Sequence, residues 1–177
     1  MRLTSNVHRG RIALVGVAAA LALAVMTIAD VGPAAADHAP VHGTILARAP
    51  FADPTDIRIK ALVGGRHQVV HVNHAAETVV QNIVIQPGGF TGWHTHPGPA
   101  VAIVALGTLT LYQGSDSTCT GWEYGPGESF VDPGQGNVHG ARNEGLTPAV
   151  VYVTYFDVPS GAGPAIPASN PGHCDGF

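Results

Sequence analysis

The chain has 177 residues, with 8 basic and 12 acidic side chains and a net charge of −4 when histidine is neutral. Charged residues make up only 11% of it and form no basic stripe that could track phosphates, which argues against nucleic acid as a partner. Abundant Gly and Pro (23 and 14) between short apolar runs favour strands joined by turns over helices.

In chain order, the first element is a leader. Arg2, Arg9 and Arg11 precede an uncharged apolar run from Ile12 to Ala29, and Ala34-Ala35-Ala36 supplies small residues for a peptidase. This pattern predicts a signal peptide, 1–36, cut after Ala36, and therefore a secreted, extracytoplasmic protein with no membrane attachment after cleavage. Retention of the segment as an anchor stays open, since the run is near the lower length limit for a spanning helix. Gly10 separates Arg9 from Arg11, so a twin-arginine signal is not supported, and no Cys stands at the cleavage site to take a lipid. About 140 residues remain, enough for one domain. Of the basic residues, only Arg48, Arg58, Lys60, Arg66 and Arg142 follow the leader, so the remainder is mildly acidic.

Residues 37–60 read as an N-terminal arm with one strand, His42 to Ala47. Strands are then expected at Asp56–Leu62, Gln68–Val72, Thr78–Gln86 and Trp93–His96, each stopped by Gly or Pro. Ala100–Leu106 is continuously apolar, the pattern of a strand buried on both faces. Further strands are expected at Thr108–Gln113, Gly121–Tyr124, Glu128–Val131, Val138–Asn143 and Ala149–Asp157, with Asp132–Gly136 as a turn. The arrangement predicts an all-β sandwich or barrel over 61–158 and an irregular tail, 159–177. Cys119 and Cys174 are the only cysteines, and in an oxidising compartment they predict one disulfide that ties down this tail. Two free thiols acting as metal ligands are the alternative, which their wide spacing does not favour.

The chemistry-bearing pattern is His94-Thr-His96. Residues two apart in a strand point the same way, so both imidazoles can aim at one point. His139, on a later strand, can supply a third ligand and leave coordination positions open on a metal. Around these residues the chain resembles the cupin superfamily over roughly Val79 to Tyr155. Gly88, His94, His96 and Gly107 fall in register with the motif G-x5-H-x-H-x3-E-x6-G, and Ala100 stands where that motif has glutamate. Gly127, Pro133, Gly136, His139 and Asn143 match G-x5-P-x-G-x2-H-x3-N, with one extra residue between Pro133 and Gly136. The resemblance implies a small jelly-roll β-barrel holding a mononuclear metal at its mouth, a small-molecule ligand, and a homodimer through the segment before Ala61.

Three neutral imidazoles suit zinc, iron, nickel or copper and hold manganese less well, so the divalent transition metal is left open among these. Without the carboxylate, the centre keeps a charge near that of the bare ion and should favour an anionic or bidentate ligand. Metal affinity is expected to fall below about pH 6.5, where free imidazoles protonate. Glu77 and Glu128 are the candidates for a substitute acid, though as strand-end residues they read better as solvated charges. A second cluster, His67, His71 and His74, reads as a polar surface strand, and His38 and His42 as weak ligands near a new N-terminus. Trp93 should point away from the pocket, Tyr152 or Tyr155 into it, and Arg142 toward a surface ion pair. These features support a metal-dependent oxygenase- or isomerase-type enzyme with no separate catalytic residues identified. A non-catalytic metal- or ligand-binding barrel and a metal-free structural barrel are the alternatives.

Overall fold

Twelve strands and no helix make up the described residues, 40–63, 65–174 and 176, of a computed structural model. They belong to the unit Ala36–Phe177. The expected leader, 1–36, and His38 lie outside the described residues. Among those described, no helix is long and apolar enough to cross a membrane.

The strands are β1 (Val41–Pro50), β2 (Ile57–Val63), β3 (Arg66–Val72), β4 (Glu77–Ile85), β5 (His94–Thr95) and β6 (Ala100–Leu106). They continue with β7 (Leu109–Gln113), β8 (Gly121–Tyr124), β9 (Ser129–Asp132), β10 (His139–Arg142), β11 (Ala149–Val158) and β12 (Ile166–Pro167). One five-stranded sheet has the order β1-β4-β11-β6-β9, the other β12-β5-β10-β7-β8, and β2 and β3 form a separate hairpin. All pairings are antiparallel. The architecture is all-β, as the turn-rich, β-branched sequence predicts, and it is the jelly roll that the family resemblance implies.

The core lies between the two sheets. Val79, Ile85, Val104, Leu109, Ala149, Val151 and Val158 are all at most 2% exposed. They alternate with outward residues, so period-two burial fixes each strand's register. The apolar run of β6 does not behave as its composition suggested. Ala100, Ala102 and Val104 are buried, but Ile103 and Leu106 are 48% and 61% exposed, so the strand is not buried on both faces. β1 is longer than the expected 42–47 and runs along β4 from Val41↔Ile85 to Pro50↔Glu77. The tail is less irregular than its Pro/Gly content implied, since β12 pairs with β5. Cys119 and Cys174 form a disulfide with Cα atoms 5.4 Å apart, which fastens the tail beyond β12 to the loop after β7.

Gly107 shows why glycine is needed at one turn. Its φ is +68°, and a Cβ there would meet the Pro148 carbonyl oxygen at 2.5 Å.

Candidate metal centre

β5 and β10 are neighbours in the second sheet, and His94 and His139 are direct register partners. His96 follows β5 two residues after His94. The ring centroids of the three histidines lie 4.4 to 5.0 Å apart. One potential ligand nitrogen of each lies within 4.8 Å of those of the other two, an arrangement that could hold a metal ion. Among the described residues, no other group of three ligating side chains meets that criterion.

The loop after β9 sets this geometry. Gln135 N donates to the His96 carbonyl (2.8 Å) and Gly136 N to Thr95 Oγ1 (3.1 Å), so the segment leading to His139 is stapled to β5. Gly134 allows the close approach: its φ is +62°, and a Cβ would fall 1.9 Å from the Gly98 carbonyl oxygen. The extra residue relative to the motif is thus absorbed where Gly134 and Gln135 both have positive φ. Motif residue Asn143 is fully buried and structural. Its side-chain amide donates to the Ile85 and Thr147 carbonyls, both at 2.8 Å.

Each imidazole turns Nδ1 toward a fixed acceptor. His94 Nδ1 donates to the Gly92 carbonyl at 2.9 Å and His96 Nδ1 to the Pro164 carbonyl at 2.8 Å. His139 Nδ1 lies 3.3 Å from the Asn137 carbonyl and 3.1 Å from Asp132 Oδ2. A neutral ring whose Nδ1 carries the proton keeps its lone pair on Nε2, the form a metal requires. Burial keeps the rings neutral. It lowers the pKa of His94, pulls His96 down to about 4, with His139 adding to the effect, and pulls His139 down to about 3. Burial thus moves proton competition at these rings below the range of free imidazoles. The donor set and its protonation fit a divalent transition metal.

The rings face a cavity of about 50 Å³, otherwise lined largely by apolar side chains including Ile83, Ile85, Leu109 and Leu111. Ala100, at the position of the motif's glutamate, lines it and is 2% exposed. So does Tyr155, whose ring centroid is 4.9 Å from that of His96 and whose hydroxyl donates to Gln81 Oε1 at 3.1 Å. Burial raises the Tyr155 phenol above its ordinary pKa, so it stays protonated. Tyr152, on the opposite face of β11, is 44% exposed. A second cavity of about 340 Å³ adjoins the first and shares Ile83, Thr91, His94 and Tyr155 with it. Val41, Trp93 and tail residue Pro167 help to wall it, and no Asp, Glu, Lys or Arg lines it. Trp93 does not line the inner cavity, as expected of a residue pointing opposite to His94, but it helps to wall this outer one.

The substitute acid is neither Glu77 nor Glu128. Glu77 pairs with Arg48, and Glu128 Oε2 accepts from Gly125 N at 2.6 Å. Asp132 is the carboxylate lining the inner cavity, and it is 2% exposed. Burial raises its carboxyl pKa, opposed by the charges of nearby histidines and by hydrogen bonds from Gly134 and Asn137. In the sequence Asp132 reads as part of a turn before Pro133, and its inward position follows from its pairing with buried Ala100 across β6 and β9. Pro164 carries no signal, because a backbone carbonyl in a tail has no sequence signature, whereas Tyr155 is one of the two tyrosines expected to enter the pocket. His67 and His71 are exposed on β3, His74 follows it at φ +53°, and His42 is exposed on β1. Arg142 lies 3.5 Å from Glu144 and donates to the Gly176 carbonyl, and it does not line the inner cavity.

Residues 82–155 match the model of the Cupin domain family, which supports the resemblance of that segment to the cupin superfamily. Among solved structures, it is similar to a cupin-like protein from Thermotoga maritima, with 24% identity over 52% of this chain and 65% of that one, TM-score 0.42. It is also similar to an oxalate oxidase (27% identity, 45% and 41%, TM-score 0.40) and to the polyketide cyclase RemF from Streptomyces resistomycificus (22%, 53% and 64%, TM-score 0.43). The chain spans less than two thirds of each of these chains, and the family resemblance rests on the domain match. No curated protein sequence matches it.

Proposed function

We propose that the chain is an exported, mononuclear metalloenzyme in which His94, His96 and His139 hold one divalent transition-metal ion. The reaction proposed is oxygenase- or isomerase-type chemistry on a small, uncharged organic molecule. The observation that carries the proposal is the common orientation of the rings: every Nδ1 meets an acceptor, so every Nε2 keeps a lone pair beside one buried cavity. A divalent ion bound there supplies a Lewis acid with open coordination positions. The chain's own residues do the rest. The apolar walls exclude water and strengthen electrostatic contacts. The inner cavity has room for only a few water-sized groups. The body of an organic substrate must therefore sit in the outer cavity, whose volume falls in the range of ligand pockets. Its uncharged lining disfavours an anion, and Trp93 and Tyr155 offer aromatic surface to a ring. Export agrees with the disulfide and with the leader sequence. A homodimer through edge strand β1, where Ile45 and Leu46 are 46% and 55% exposed, belongs to the same proposal and would double the mass seen by light scattering.

The test is metal content followed by turnover. The account expects near-stoichiometric metal and, with iron, oxygen uptake on neutral phenols or diketones. Stoichiometric metal without turnover on a broad set of neutral compounds would leave a binding protein instead, a reading that the small inner cavity and the lack of a nucleophile–base pair there favour. No bound metal would remove both.

A further inference from the structure

Ala100 and Asp132 are direct register partners across β6 and β9. Residues paired in this way in an antiparallel sheet share a face, with Cβ atoms about 5 Å apart. The carboxylate absent from position 100 is thus present one strand over, behind His139 instead of beside it. We propose that Asp132 is the positioning residue of this centre: it holds the Nδ1 proton of His139 and supplies from the outer shell the negative charge that Ala100 does not. The proposal rests on the three-histidine reading above.

Three observations support it. Asp132 is the one carboxylate among the described residues lining the cavity, so it is the countercharge within reach of a divalent ion buried there. Every polar partner of its side chain is a donor. Gly134 N donates to Oδ1 at 2.7 Å, Asn137 Nδ2 donates to Oδ2 at 2.7 Å, and His139 Nδ1 lies 3.1 Å from the same oxygen. Such a shell suits an ionised acceptor and leaves the His139 lone pair on Nε2. Asn137 also donates to Gln113 Oε1 at 3.0 Å, which fixes the orientation of its amide and thereby of the carboxylate. Carboxylates behind metal-ligating histidines set ring orientation and raise ligand basicity.

The experiment compares zinc affinity, by competition with a chelator, and then azide affinity of the cobalt-loaded protein, by absorption, in wild type and Asp132→Asn. Loss of Asp132 is expected to weaken zinc about ten- to hundredfold. Azide should instead bind more tightly, because the loaded centre is more positive. A merely structural role would weaken both or neither. Asp132→Ser, whose hydroxyl can still accept from Gly134 N, gives the same comparison if the Asn variant does not fold. Ala100→Glu combined with either variant should restore zinc affinity. Zinc affinity equal to wild type, or azide falling together with zinc, would overturn the assignment and leave the three-histidine centre standing. If the wild-type chain takes up no zinc or cobalt at all, both readings fall.

Discussion

His96 and His139 are buried as neutral rings, and that choice has a measurable consequence without any metal. Their folded pKa values, about 4 and about 3, lie below the ordinary value of 6.5. As pH falls through 6.5, the unfolded chain takes up protons that the folded chain refuses. Stability is therefore fully present above pH 6.5 and is lost on the way to pH 4, at about 1.4 kcal/mol per pH unit for each such group. Asp132, raised by burial, works in the opposite sense, one group against the histidines. The urea midpoint of the metal-free protein should drop steeply between pH 6.5 and 4, and His139→Gln should flatten the slope. A midpoint independent of pH across that window would show that the rings are not buried as described. At the same scale, His94→Ala, His96→Ala and His139→Ala should each lower zinc affinity by at least about a hundredfold, since a three-ligand site reduced to two loses its hold on the ion. Isothermal titration would check this.

At the scale of elements, the tail is part of the site. β12 lies along β5, Ala168 N donates to the Trp93 carbonyl at 2.9 Å, and the Pro164 carbonyl holds His96 Nδ1. The disulfide fastens that tail across a sequence separation of 55 residues. Replacing both cysteines by serine should cost up to about 4 kcal/mol of stability on the chain-entropy account. It should also weaken metal binding, because His96 loses its orienting carbonyl when the tail is free. Equal metal affinity in the oxidised and serine forms would separate the tail from the centre. This is also where the sequence was least readable. The strands β4 and β11 announce themselves by β-branched runs, and the spacing of His94, His96 and His139 by motif. Two features stay hidden: a short strand of Ile166 and Pro167, and an aspartate before Pro-Gly that reads as a turn. Both depend on register across strands distant in sequence. The apolar run of β6 misled for the related reason that exposure of its outer face depends on whether another layer covers the sheet.

At the scale of the whole molecule, the fold brings three imidazoles, one carboxylate and a phenol into one apolar cavity between two sheets and sets an uncharged outer chamber beside it. Loading with zinc should raise the thermal midpoint, because a ligand that binds only the folded chain stabilises it in proportion to the logarithm of its concentration over Kd. A chelator should reverse the shift. The most direct measurement is elemental analysis of the purified, folded protein beside a variant with His94, His96 and His139 all replaced by alanine. The account predicts one equivalent of a divalent transition metal in the wild type and none in the variant. Equal metal content in the two, or no metal in the wild type even after incubation with zinc or iron, would contradict it.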